Sequence, residues 1–175
     1  MKNSKKIFII VMLMLSVLLI VSCQSQSTEE PMIKIVSGSK ELKPIHYGDR
    51  YNKDQVDIEK NLKNSMVGKR FSDMPTILYG DEIDIETPNF EADEFEVYDY
   101  IMDGDGNIVS NFKVTQFDNC LVKNGKATYK FTKKEGIEEF FDYSKDNQQI
   151  HCLLFRCTIG NQSFAFATIV LSDIK

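Results

Sequence analysis

The chain has 175 residues, 42% of them apolar, and a formal net charge of -5, a size that excludes more than one full domain. Twelve Phe and seven Tyr exclude a disordered chain, which is poor in such residues, and the acidic balance speaks against nucleic acid as a partner. Beyond residue 23 no stretch approaches the ~18 uncharged residues of a membrane span.

Lys2, Lys5 and Lys6 precede an apolar run from Ile7 to Val21, broken only by Ser16 and followed by Ser22 and Cys23. A basic start, an apolar run and small residues at its end predict a secretory signal. Ile20-Val21-Ser22-Cys23 resembles the lipobox of bacterial prolipoproteins. The resemblance implies cleavage after Ser22, a diacylglyceryl group on the Cys23 sulfur, and anchoring on the outer face of the cytoplasmic membrane. The competing reading is an uncleaved N-terminal membrane helix; the polar Gln24 to Glu30 directly after the cysteine favours the lipoprotein. Two acyl chains hold stably where one holds only reversibly. The expected organisation is a signal over 1–22, a lipidated cysteine and polar tether over 23–31, and one β-rich domain over 32–175.

Within that domain, short β-rich runs punctuated by Gly, Asn and Asp dominate. Met32 to Val36 is a first strand. Leu42 to Tyr47 is a second, marked as an edge by Pro44. Asp54 to Met66 is the best helix, with Ile58, Leu62 and Met66 at four-residue spacing, Asp54 to cap it and Gly68 to end it. Strands follow at Thr76 to Tyr79, Glu82 to Glu86, Phe95 to Met102, Asn107 to Phe117, Cys120 to Val122 and Ala127 to Thr132. Ile137, Phe140 and Phe141 suggest a short helical segment. Asp103-Gly-Asp-Gly-Asn107 should fold Phe95 to Met102 back as a hairpin, and Asn124-Gly125 should join Val122 to Ala127 as another. Parity predicts a third, turning on two residues near Gly160-Asn161 so that Leu153, Phe155 and Cys157 share a face with Phe164, Phe166 and Val170. Leu154 and Ile169 on the other face make that pair central.

Such strands at about ten-residue spacing predict a mainly β fold, an antiparallel sandwich with one or two short helices. The alternative is an α+β fold with one helix across a curved antiparallel sheet. Phe95-Glu-Val-Tyr-Asp-Tyr-Ile-Met-Asp-Gly-Asp-Gly-Asn107 resembles immunoglobulin-like modules of bacterial surface proteins, and Ile33 to Pro44 resembles the start of small Gram-positive lipoproteins; the likeness implies an immunoglobulin-like sandwich and no particular activity.

Cys152 and Cys157 on one strand would stand ~16 Å apart, beyond the ~4.4–6.8 Å of a disulfide. They face opposite ways, so Cys120 can bond only one. Free thiols that behave as ordinary core residues are the expectation; if a bridge exists, Cys120 with Cys157, between the sheets, is the candidate. His151 beside Cys152 lacks the close spacing of a metal pair, so no metal site is expected, and His46 reads as a strand-end surface residue. Twelve acidic residues and no Lys or Arg lie between Phe71 and Phe112. They read as solvated faces balanced by the basic remainder, or as a cation-binding or membrane-orienting patch. Asp103 and Asp105 are its candidate cation contacts, although Ile108 and Val114 stand where a calcium loop needs Gly and Glu. Ser37-Gly-Ser-Lys40 lies on a turn without the other parts of a penicillin-recognising enzyme, and no catalytic or cofactor motif is found. The expectation is therefore a non-enzymatic binding or structural module of the cell envelope, held to the membrane by its lipid and meeting a protein, peptide or glycan. The alternative is a small-ligand or metal carrier with a pocket lined by Tyr100, Phe140, Phe141 and Tyr143.

Overall fold

A computed structural model describes residues 30–46, 55–68, 70–110, 117–144 and 146–174. The signal region, Cys23, the tether as far as Glu29, and Tyr47, Asp54 and residues 111–116 of the expected strands and helix lie outside the described residues. Among the described residues there are ten strands, β1 (Lys34–Ser37), β2 (Lys40–Leu42), β3 (Ile45–His46), β4 (Thr76–Ile77), β5 (Glu82–Glu86), β6 (Glu94–Met102), β7 (Asp118–Leu121), β8 (Lys126–Lys130), β9 (Gln148–Ile159) and β10 (Gln162–Asp173), with the α-helix α1 (Gln55–Met66) and 3-10 turns at Phe71–Asp73 and Ile137–Tyr143. One sheet has the order β2-β1-β5-β8. The other has the order β3-β10-β9-β6-β7, with β4 parallel to β10.

The fold is mainly β and built as a sandwich. Alternation along each strand of the first sheet turns Ile35, Ile83, Ile85, Ala127 and Tyr129 inward, and they meet Phe95, Val97, Leu153, Phe155, Phe164 and Phe166 of the second sheet in one cluster. Phe95 and Phe155 pack edge to face, with centroids 6.5 Å apart. The second sheet is apolar on its other face as well. There Cys152, Leu154, Ala165, Ala167 and Ile169 form a second cluster with Leu62 and Met66 of α1 and with Met74. The helix that the α+β alternative laid across a sheet thus exists, as a third layer outside the sandwich.

The β9–β10 hairpin is the long axis of this arrangement. Gln162 pairs with Ile159, so the turn is Gly160-Asn161, two residues as parity predicts, and Gly160 takes φ 61°. Twelve cross-strand pairs follow, flanked by β6 on one side and β3 on the other, and both strands are central and buried on both faces.

Three expectations are corrected. Leu42 to Tyr47 is not one strand: Pro44 breaks it, and the chain leaves the first sheet as β2 and enters the second as β3, an edge in each. The Asn124-Gly125 turn has left-handed φ angles of 54° and 71° and closes a Lys123–Lys126 bridge, yet its arms do not form a hairpin. β7 pairs with β6 and β8 with β5, so the turn carries the chain between sheets. Asn107 onward does fold back on β6, through the Met102–Ile108 bridge and the backbone hydrogen bonds of Asp103 N–H to Asn107 O and Val109 N–H to Ile101 O, but it does not form a strand over residues 107–110.

Gly106 fixes α1 against the sheet. It is buried with φ 84°, and a Cβ there would lie 3.2 Å from Lys63 Cα and 3.2 Å from Met66 Cγ. Gly106→Ala should therefore lower stability by more than the ~1–2 kcal/mol of a left-handed non-glycine residue, whereas Gly104→Ala, with nothing within 4 Å, should be near neutral; urea unfolding of the two variants checks the contrast.

Candidate functional site

Two places gather the chemistry-bearing residues: a polar network between the sheets and a groove at one end of the second sheet. The network comes from inward positions of three neighbouring strands. Asp99 of β6, His151 of β9 and Ser172 of β10 are each about 1% exposed or less. Asp99 sits between inward Val97 and Ile101, and a buried carboxylate demands a hydrogen-bonding partner. His151 meets that demand, with Nδ1 2.7 Å from Asp99 Oδ1. A carboxylate only accepts, so Nδ1 carries the proton. Nε2 lies 2.8 Å from Ser172 Oγ, which lies 3.1 Å from the Tyr79 hydroxyl oxygen. Phe131 packs edge-on against the imidazole, with centroids 5.0 Å apart. Tyr129, whose phenol is pushed up by burial and then by the charges of Asp99 and Asp118, completes the polar interior. Burial likewise raises the Tyr79 phenol to about 12.

Ser172, His151 and Asp99 have the spacing of a nucleophile, base and orienting acid. Their burial gives them another role. No substrate carbonyl reaches Ser172 Oγ unless the sheets part, and the serine sits within a regular strand, paired through Gln149. The set is a polar spine that ties β6, β9, β10 and the Tyr79 loop together. Removing one partner leaves a buried group unpaired, at a cost of about 3–5 kcal/mol. His151→Leu should lose stability on that scale, and the double variant Asp99→Leu/His151→Leu should regain most of it; equilibrium urea unfolding measures both.

The cysteines lie in the core. Cys120, Cys152 and Cys157 are buried free thiols. The candidate Cys120–Cys157 bridge is not formed, and the register gives the reason. Both side chains belong to the inter-sheet cluster, but in the same sheet, with β6 between them: Phe95 stands opposite Cys120, and Glu96 opposite Arg156. Two strand spacings of about 4.8 Å each exceed the reach of a disulfide. Burial pushes the Cys120 thiol up to about 11 and the Cys157 thiol to about 12, with Cys152 raised as well. All three should resist a thiol reagent at pH 8 in the native protein and react once unfolded in urea, a contrast read by absorbance titration.

The candidate cation contact is used within its own loop. Asp103 Oδ1 accepts from the backbone N–H of Asp105 at 3.0 Å and of Asn107 at 2.8 Å, and Oδ2 accepts from Asn107 Nδ2 at 2.6 Å. Asp105 is exposed. Among the described residues no group of three His, Cys, Asp or Glu is placed to hold a metal. The aromatic pocket expected of a ligand carrier is not assembled either: Tyr100 packs against the helix-side cluster, Phe140 against Ile101 and Ile137 in a separate one, and Tyr143 is 47% exposed. His46 pairs through its backbone with Phe166.

The groove lies where β6 begins and the β9–β10 hairpin turns, with a volume of about 440 Å3, lined by Glu91, Asp93, Glu94, Glu96, Arg156 and Thr158. Glu96 is its hub. It accepts from the Tyr98 hydroxyl at 3.1 Å and lies 3.4 Å from the Arg156 guanidinium. Tyr98 stacks on Tyr100, with ring planes 10° apart, and meets Phe117 at 5.4 Å. No protein-family model matches the chain, and comparison with curated proteins and with solved structures finds no match.

Proposed function

We propose that the protein is a lipid-anchored, extracytoplasmic lipoprotein whose sandwich domain, of immunoglobulin-like type, is a non-enzymatic binding module of the cell envelope. The observation that carries this reading is Ile20-Val21-Ser22-Cys23 behind a basic, then apolar, N-terminus, a pattern that supports signal cleavage and acylation of Cys23. The domain supports the binding half. The nucleophile–base–acid set found among the described residues is sealed between the sheets, and the acidic groove at the start of β6 is open to solvent, the kind of surface that recognises a partner instead of transforming it.

No helix among the described residues is long and apolar enough to cross a membrane; the membrane attachment in this reading is the lipid on Cys23. Cells fed an alkyne-labelled fatty acid should incorporate it into this chain, and Cys23→Ser should abolish the label and release the protein from membranes. The unfolded mature protein should titrate three thiols out of the four cysteines in the sequence, because the fourth sulfur is held as a thioether. Four reactive thiols, or an unlabelled chain, would refute the anchor.

A further inference from the structure

Apart from the buried Asp99 and the carboxylates that cap their own turns, the acidic stretch shows two contrasting surfaces. On the outer face of the first sheet the carboxylates are matched across strands: Lys126 Nζ lies 2.8 Å from Glu86, Lys34 lies 4.0 Å from it, and the Thr128 hydroxyl donates to Asp84 at 3.0 Å. Lys126 accordingly holds the Glu86 carboxyl below its usual range. At the groove the balance fails. Glu91, Asp93 and Glu94 are exposed, and no cation among the described residues pairs with their carboxylates. Arg156, the one cation lining the groove, is directed at Glu96.

Beside these carboxylates runs an open sheet edge. β7 is the outermost strand of its sheet among the described residues. The Val122 N–H donates to Asp93 O at 2.8 Å, so alternation along the antiparallel ladder turns the backbone groups of Asn119 and Leu121 away from β6, toward the open edge. Their side chains lie on the outer face of the sheet with Phe117. Phe117 is 49% exposed and Leu121 65% exposed, so large apolar groups stand in water along a strand that is paired on one side only among the described residues. Such an edge is a template for another extended chain. Register sets the order of the surface: Leu121 opposite Glu94, Asn119 opposite Glu96, and Phe117 next in line beside Tyr98.

We infer that β7 docks an extended, positively charged polypeptide segment, laid along its free edge as an added strand whose basic end reaches across the start of β6 to the carboxylates at the groove's rim. Its basic side chains lie at the end of the strand nearest Glu91, Asp93 and Glu94, and its apolar side chains cover Phe117 and Leu121 on the outer face. Backbone hydrogen bonds supply the attachment and charge supplies the selection. The acidic groove repels anionic lipid headgroups, and an open strand edge recognises another backbone. This inference rests on the binding-module reading above but not on the lipid anchor.

The test uses the full-length chain in neutral detergent micelles, titrated calorimetrically with a ten-residue peptide of four lysines followed by alternating tyrosine and threonine. The same peptide with glutamate for lysine, and one interrupted by two prolines, serve as comparisons. We expect one-to-one binding of the basic peptide alone, weakened at least tenfold by Glu91→Gln/Asp93→Asn/Glu94→Gln and less than threefold by Glu82→Gln/Asp84→Asn/Glu86→Gln on the other sheet. Leu121→Asn should weaken it too, without moving the urea midpoint. The inference is overturned by no binding, by equal weakening from both carboxylate triples, or by full binding of the proline-interrupted peptide. It is also overturned if the protein is a dimer that the groove variant dissociates, since a second copy would then occupy the edge. Any of these results leaves fatty-acid labelling of Cys23, and with it the anchor, untouched.

Discussion

Burial of the β9–β10 hairpin on both of its faces is the constraint on which the other elements depend. A strand pair that turns Phe155 and Phe166 one way and Leu154 and Ala167 the other cannot end in solvent on either side. The first sheet covers one face, and α1 with Met74 covers the other. Residue size follows from the two coverings. Toward the facing sheet, about 10 Å away, the hairpin presents Phe155, Phe164 and Phe166. Toward the helix, β10 presents Ala165 and Ala167, small enough for α1 to lie close.

The same constraint decides where function can be. Groups on the inward face of the central strands are lost to solvent, so Asp99, His151 and Ser172 serve cohesion despite a geometry suited to chemistry. A buried polar network of this kind specifies register. Sliding β9 by one residue against β6 would turn His151 to the helix side and leave Asp99 without its partner. In the proposed binding role, recognition falls to the periphery: the turn ends, the acidic groove and the short edge strand β7. The loop between β5 and β6 belongs to both sides of this division. It sends Phe90 inward to stack on Phe166, with centroids 6.0 Å apart, while Glu91 and Asp93 remain at the groove.

Much of this was legible in the sequence, and the reasons are local. The strands over 82–86 and 95–102, the helix ending at Met66 and the two-residue turn at Gly160-Asn161 follow from alternation, four-residue spacing and positive-φ chemistry, none of which needs knowledge of distant contacts. The Pro44 break and the sheet switch at Asn124-Gly125 were not legible, because a turn motif fixes the reversal of the chain and not which sheet each arm joins. The spine was missed for a related reason. Asp99 between Val97 and Ile101, and His151 two positions before Leu153, are polar residues at inward parity, a signal that each needs a buried partner. Only strand order puts the two side by side. The disulfide candidate failed on the same unknown, since parity gave Cys120 and Cys157 a common core but not the strand between them. Glu96 as the hub of the groove depends likewise on β6 lying beside β9.

If the twin-faced hairpin organises the fold, its amides open only when the whole domain unfolds. Native-state hydrogen exchange followed residue by residue tests this directly. The amide protons of Leu153 to Phe155 and Ala165 to Ile169 should be the slowest in the protein, exchanging with the free energy of global unfolding, while those of β2 and β7 exchange through local opening. Exchange of the hairpin amides as fast as those of the edge strands would contradict the account.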